Sequence, residues 1–548
     1  MLKTTPGDAA STNRFFLIVC LIMLIMAFVR CYLTTYDLFW ASESDFDRDI
    51  SFVQTILDGH YGQDPNMLGA YNWYNPLLFF IEALIVKISG LPIHVVLVRA
   101  GAFLNIFGPL CFVAMMRRFF DEKVAAAGLL SFLFLASGNV LAGATYSAWL
   151  FPIFFGQCFL YLGLIFCYRA FSTQKINAFL LLGIVAGLNF LTQTAPALLL
   201  ILILVVIQGG NVWKAIRSRN YALVKTYLLQ GLVTFLPFVI VSSPFLYYVY
   251  GKYHFHFVNR QVSEYVDWWM VPGNLPKLLK EAVNVQFLIA VVGFIWFYRN
   301  FKEQLVRKII LSWLFLALFL YGYTTMLPWF EKRNILLPVT VPSFHYFFYL
   351  KALQSVFFGL GFVYLVGLVF NWLKNRIGSL SRRSESPGFR ERFVIGAVLL
   401  YSVAYFPVYW NRMEFVVLRK MSIKKAADLD KTEVYDYIVR NIPANKVIVC
   451  DMETSFFPAM PTARKLVSIY ATFSNPYVDY NQREADRQKI LRCLQSGRPQ
   501  EARDLLRQYQ VEFYLARNAD LGDSSALPAL GGKRVFQNPT YSIFSLSY

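Results

Sequence analysis

FFLIVCLIMLIMAFVRCYL, residues 15–33, is followed shortly by Ser42-Glu43-Ser44-Asp45-Phe46-Asp47-Arg48-Asp49-Ile50. The first stretch has the length and apolarity to cross a bilayer as a helix. The second puts four carboxylates and one arginine within seven residues, where that helix would leave the hydrocarbon. Acidic side chains are expensive in lipid, so acids gathered at a membrane mouth are either solvated or functional.

The rest of the chain extends the membrane reading. Of 548 residues, 57% are hydrophobic and 16% charged, against about 25% charged in a soluble domain. Mean hydropathy is +0.46. The apolar blocks are continuous rather than alternating, which predicts helices and not barrel strands. Eleven spans are expected, at about 15–35, 93–116, 124–142, 149–168, 177–192, 196–208, 222–248, 285–298, 309–329, 353–372 and 394–410. The fold class is therefore a polytopic α-helical membrane protein with about 11–13 transmembrane helices. Residues 15–33 lack a small-residue cleavage site after them and read as a retained signal-anchor.

The formal net charge is +19. Its distribution argues against nucleic acid as a partner. Arg117, Arg118 and Lys123 share one hydrophilic break, Lys214, Arg217, Arg219 and Lys225 a second, and Arg299, Lys302, Arg307 and Lys308 a third. Lys374, Arg376, Arg382, Arg383, Arg390 and Arg392 fill a fourth, whereas the breaks at 143–148 and 192–195 carry no Lys or Arg. This is the positive-inside pattern, and it also suits anionic lipid head groups. No basic-aromatic module for nucleic acid is present.

The loop after the first span carries two amphipathic segments. Asp49 to Leu57 sets Ile50, Val53 and Leu57 on one helical face, with Ile56 beside them, and 76–89 forms a second segment broken by Gly90-Leu91-Pro92. Both are expected to lie in the interface. Beyond residue 410 charges become frequent and apolar runs short. Helices are expected at 432–441, 482–495 and 498–508, and strands at 446–450, 465–470, 511–516 and 541–546. The expected organisation is a membrane domain, 1–410, and an α/β domain, 411–548, placed outside by the odd number of spans. Cys20, Cys31, Cys111, Cys158 and Cys167 read as small apolar residues of the spans, and Cys450 and Cys493 could pair in an oxidising space.

Chemically, a carboxylate beside an acceptor hydroxyl can take its proton, and a neighbouring arginine can hold an anionic phosphate. Asp45, Asp47 and Asp49 flank Arg48 in this way; the plainer reading is a solvated helix start favoured by the helix dipole. His254 and His256 would share a face on a strand, as a metal pair does. Tyr71, Trp73, Trp268 and Trp269 suit a membrane aromatic belt or sugar stacking.

The run 44–59, then Asn72-Trp73-Tyr74-Asn75-Pro76-Leu77-Leu78, then Lys87-Ile88-Ser89-Gly90, resembles the first outer loop of GT-C glycosyltransferases. The nearest pattern is the branch of protein O-mannosyltransferases and lipid A aminoarabinose transferases. The segment from Glu433 to Asp451 also looks like that branch's tail. The resemblance implies an inverting enzyme that moves a sugar from a polyprenyl-phosphate donor to a glycan, lipid or protein acceptor outside the cytoplasm, in a bacterial inner membrane. It implies Asp45 as general base, with Asp47 the alternative if the register slips by two. Phe46, Tyr74, Asn75 and Gln193 depart from the pattern, which removes two phosphate-handling lysines. Arg48, Arg333, His345 and Lys351 are the candidate replacements, with Tyr71 and Tyr74 as further substrate-binding residues. No Asp or Glu occurs between Glu122 and Glu264, so the loop in which metal-dependent relatives place a second acid is uncharged. No cofactor is expected; a divalent ion would need the 43–49 cluster with Glu264 or Asp267. The competing readings are a flippase or transporter of a lipid-linked sugar, and a non-catalytic component of envelope polysaccharide assembly. A transporter would want mid-span charges or broken helices in paired halves, and few mid-span charges and no halved symmetry are present.

Overall fold

A computed structural model describes residues 6–42, 44–135, 146–259, 284–335, 337, 341, 344–377, 389–521, 527–528 and 530–548. In chain order the helices begin with α1 (Pro6–Thr35), α2 (Ser44–Leu57), α3 (Leu77–Ser89), α4 (Ile93–Leu104), α5 (Phe107–Phe119) and α6 (Glu122–Leu130). α7 (Pro152–Thr173), α8 (Ile176–Thr192), α9 (Thr194–Arg217) and α10 (Tyr221–Leu246) follow. Then come α11 (Val285–Asn300), α12 (Gln304–Glu331), α13 (Phe344–Arg376), α14 (Phe389–Trp410) and α15 (Met413–Ala426). The tail adds α16 (Leu429–Asn441), α17 (Tyr480–Gln495) and α18 (Arg503–Gln508).

Among the described residues eight helices are long and apolar enough to cross a membrane, and Ile176–Thr192 and Val285–Asn300 are shorter apolar ones. Together with α6 and its π-helical continuation Ser131–Leu135, they coincide with the segments expected from hydropathy, except that 136–142 of the expected third span lies outside the described residues. Local chemistry sets several ends. The Asp121 carboxylate accepts from the Val124 N–H at 2.9 Å and opens α6, and Asn284 does the same for Phe287 at 3.0 Å in α11. Gly90, at φ 68°, closes α3 in the left-handed region that glycine adopts without strain.

Two compact units divide the chain. The first comprises Met1–Tyr36, Ala100–Ser242 and Val266–Val417. Its centre is α13, which packs on α11 and α6. Close approach there depends on glycine: a Cβ at Gly293 would lie 1.8 Å from the Phe357 carbonyl oxygen, and one at Gly361 would lie 2.0 Å from that of Ile289. Small residues that let backbones meet are the usual device of helix packing in lipid.

The second unit comprises Asp37–Arg99, Ser243–Tyr265 and Leu418–Tyr548. Its five-stranded sheet has β1 (Val447–Val449), β2 (Lys465–Leu466), β3 (Val511–Arg517), β4 (Lys533–Gln537) and β5 (Tyr541–Ser545) in the order β2-β1-β3-β5-β4. β1 runs parallel to β2 and β3, whereas β3–β5 and β5–β4 are antiparallel. The helices expected at 432–441 and 482–495 and the strands expected at 446–450, 511–516 and 541–546 have counterparts, whereas the strand expected over 465–470 is only Lys465–Leu466. Neither α15 nor β4, whose Lys533-Arg534 start hides its strand character, was anticipated. Alternation along β1 sends Val447 and Val449 to one core and Ile448 and Cys450 to another. Cys493, on α17, joins the first of these cores, so the Cys450–Cys493 pairing left open by the sequence is not formed: the two lie on opposite faces, and both are free buried thiols.

Candidate functional site

α2 begins among the acids, and the structure corrects the idea of a solvated helix start. Asp47, Arg48 and Asp49 are buried, with 3%, 8% and 2% exposure, and the Asp45 side chain keeps 44%. Burial follows from the face pattern. Phe46, Ile50 and Val53 pack inward, and the charged residues between them are covered by other segments of the same unit.

Each charge has a partner. Arg48 donates from Nη1 to Asp45 Oδ1 at 2.9 Å. Its Nε and Nη2 reach Asp49 Oδ1 at 2.8 and 2.7 Å. The guanidinium lies 4.5 Å from the centre of the Tyr74 ring. Asp47 points elsewhere, taking two hydrogen bonds from Lys425 Nζ, at 2.7 and 2.8 Å. Lys425 in turn sits 4.6 Å from the centre of the Phe457 ring. Burial pushes the Asp47 carboxyl up to about 6, with Lys425 opposing the rise. Burial likewise pushes Asp49 up to about 7 against the pull of Arg48. The Tyr74 hydroxyl is pushed up to about 12, mainly by burial.

α3 packs on α2. The Phe52 and Phe79 rings stack at 4.9 Å and 4°. Thr55 and Ile56 share a small recess with Asn72, Pro76 and Phe79. The two helices therefore run as an antiparallel hairpin. One turn from the stacked rings, Asp49 on α2 and Glu82 on α3 lie at the same level of the hairpin, near enough for the Asp49 charge to act on Glu82. Glu82 is fully buried, and among the described residues neither of its carboxyl oxygens has a hydrogen-bond partner. Burial, then the Asp49 charge, holds it well above the usual carboxylate range. Sequence reasoning missed Glu82, because in Phe79-Phe80-Ile81-Glu82-Ala83-Leu84 it reads as one polar residue in an apolar helix; the useful signal was its place on the same face as Leu78 and Phe79.

The loop between these helices is tied down by the tail. Arg464 Nη1 bonds Asp58 Oδ2 at 3.0 Å, and Asn475 Nδ2 bonds Asp64 Oδ2 at 2.8 Å. Tyr71 is held through its backbone: its N–H donates to the Tyr253 hydroxyl at 2.6 Å, and that hydroxyl donates to its carbonyl at 2.7 Å. Lys252 Nζ lies 5.2 Å from the centre of the Tyr71 ring. His254 and Phe255 adopt φ of 51° and 54° after the π-helical turn Tyr247–Lys252, so 254–256 is not a strand and the alternate-face argument for a histidine metal pair does not apply.

Asp45, Asp47, Arg48, Tyr71 and Tyr74 thus belong to the second unit, and Arg333, His345 and Lys351 to the first. Arg333 is exposed beyond the end of α12, its guanidinium 3.6 Å from the centre of the Trp329 ring. His345 and Lys351 are half-buried and buried residues of α13; six positions apart, they are turned by about 120° around the helix. Among the described residues no group of three His, Cys, Asp or Glu could hold a metal ion. Glu43, Glu264, Asp267, Trp268 and Trp269, weighed above for acid, metal or aromatic roles, lie outside the described residues.

The architecture is shared with membrane enzymes of known structure. An Archaeoglobus fulgidus oligosaccharyltransferase tethered to an acceptor peptide containing an NVT sequon matches at a TM-score of 0.53 and 12% identity, over 97% of this chain and 74% of that one. The A. fulgidus oligosaccharyltransferase AglB, in complex with an inhibitory peptide and a dolichol-phosphate, matches at 0.51 and 12%, over 97% and 74%. ArnT from Cupriavidus metallidurans bound to undecaprenyl phosphate matches at 0.52 and 12%, over 96% and 97%. No protein-family model matches the sequence, and no curated protein matches it. The chain is a polytopic integral membrane protein. Its fold is that of the GT-C glycosyltransferases, as the outer-loop resemblance implied.

Proposed function

We propose that the protein is an integral-membrane inverting glycosyltransferase that uses a polyprenyl-phosphate sugar. The observation that carries this reading is the α2 start within a GT-C fold: a half-exposed Asp45 oriented by a buried Arg48. The lipid phosphates named with AglB and ArnT support a donor of that class. In the proposed step Asp45 accepts the proton of an acceptor hydroxyl while that oxygen bonds to the anomeric carbon. The bond from that carbon to the phosphate oxygen breaks on the opposite side, and the lipid phosphate leaves with the electron pair. Arg48 holds one Asp45 oxygen at 2.9 Å and leaves the other for the incoming hydroxyl. Asp47, buried against Lys425, serves structure in this reading. Tyr71, Tyr74, Arg333, His345 and Lys351 are proposed to contact donor or acceptor, the last three as cations for the phosphate.

The acceptor is proposed to be a glycan, lipid or protein outside the cytoplasm. The membrane domain would comprise 1–410, and the 411–548 domain would stand on the outer face of a bacterial inner membrane. The test is sugar transfer by the purified protein in nanodiscs, from a panel of polyprenyl-phosphate sugars to native membrane extract. Wild type should transfer, Asp45→Asn should fall by roughly 100- to 10,000-fold, and Asp47→Asn should retain transfer. Loss in Asp47→Asn with retention in Asp45→Asn would move the base to Asp47. Absence of transfer by folded protein from every verified donor would reject the enzyme, and vectorial lipid movement without bond change would put a flippase in its place.

A further inference from the structure

A wholly buried carboxylate with no donor is too costly to persist, so Glu82, which has none among the described residues, must hold a proton. The antiparallel α2–α3 hairpin stacks Phe52 on Phe79, and the next layer sets Asp49 against Glu82. On α2 the charged groups around the pair are Arg48, Asp45 and Asp47, and the loop before α3 adds Tyr74. α3 itself presents no other charge to this layer: its one remaining charged residue, Lys87, is exposed. Asp49 already has Arg48 as its donor, whereas both Glu82 oxygens lack a partner among the described residues.

We propose that Glu82 is a positioning residue, held neutral in the layer next to Asp49, so that the two carboxyls together carry one negative charge and Asp49 stays the ionised partner of Arg48. This rests on the glycosyl-transfer reading for its consequence but not for its existence. With the pair singly protonated, Asp49 is the main counter-charge of Arg48, and Asp45 is free to act as base. A second proton on the pair leaves Asp45 as the only ionised partner of Arg48 and draws it away from the acceptor. Loss of the Glu82 proton puts two like charges in a dry layer and loosens the hairpin. The direction found for both carboxyls, raised by burial, agrees with one retained proton at neutral pH.

The test uses full-length protein in nanodiscs and two independent readouts. In infrared spectra at neutral pH, the C=O stretch of a protonated carboxyl should be present in wild type and absent in Glu82→Gln; Asp49→Asn should shift its frequency. Absence of a band assignable to Glu82, or a band unmoved in Asp49→Asn, overturns the proposal whether or not transfer has been observed. In the transfer assay, Glu82→Gln should keep neutral-pH activity and lose the alkaline fall of the wild-type pH profile, because the amide has no proton to give up. Glu82→Leu should reduce kcat at neutral pH by up to about 100-fold through a displaced Asp45. An unchanged alkaline limb in Glu82→Gln also refutes the proposal. A normal infrared result without transfer by wild type would reject the enzyme reading alone.

Discussion

Replacing Lys425 with methionine tests whether Asp47 is a structural half of an ion pair. Lys425 Nζ bonds both Asp47 oxygens, at 2.7 and 2.8 Å, and is the only cation on that carboxylate among the described ion pairs. Asp47 titrates at about 6 with the lysine in place, against 3.8 in the unfolded chain. Its folded value is raised, so it binds protons more tightly in the fold, and stability from this group rises as pH falls from about 6 toward 4. With the lysine gone, Asp47 takes up a proton, and that protonation caps the penalty. At about pH 7.5 the extra cost is the gap between pH and the paired value, about 2 kcal/mol, to which lost packing of the lysine stem adds up to about 2 more. At about pH 6 the protonation part falls below about 1 kcal/mol. The assay is hydrogen exchange at the α2 amides, 44–57, read at both pH values. Lys425→Met should open α2 markedly more easily at the higher pH, and Asp47→Asn/Lys425→Met should recover most of the difference. Equal destabilisation at both pH values, or none at about 7.5, would show that Asp47 is not held as described.

Asp49 titrates at about 7 and is also raised, so the linkage sign is the same, and the unit containing α2 should unfold at higher temperature at about pH 5 than at about pH 8; circular dichroism melts in nanodiscs measure this. Gly293→Ala puts a Cβ 1.8 Å from the Phe357 carbonyl oxygen and should lower stability by at least about 1–3 kcal/mol, read as a reduced thermal midpoint. Asn475→Ala removes a 2.8 Å hydrogen bond from the buried Asp64 carboxylate and the 2.9 Å one that the Tyr253 hydroxyl accepts from the same amide. The loop 58–75 should then be cut faster in limited proteolysis, with a cost of about 1–3 kcal/mol.

The hydrophobic record alone located the spans, because a helix in lipid satisfies its own backbone, and length with apolarity is then sufficient. It also located α2 and α3 as helices and most of the α/β tail, whose turns and short apolar runs are local signals. Asp45, Asp47 and Asp49 were legible as a cluster, and the resemblance put Asp45 first, yet their spacing alone could not rank them. Spacing at i, i+2 and i+4 leaves them chemically alike until the fold supplies different partners. Lys425, 378 residues away, buries Asp47, and Arg48 joins Asp45 to Asp49. Glu82 stayed hidden inside an apolar run, and only the stacking of Phe52 on Phe79 sets it opposite Asp49. Likewise, two cysteines that could pair in sequence lie on opposite faces of one sheet. What the sequence by itself determined was the work of solvent and local periodicity. What the tertiary structure decided was the burial and pairing of charge, since the free energy of a charged group depends on long-range neighbours that a linear chain does not display.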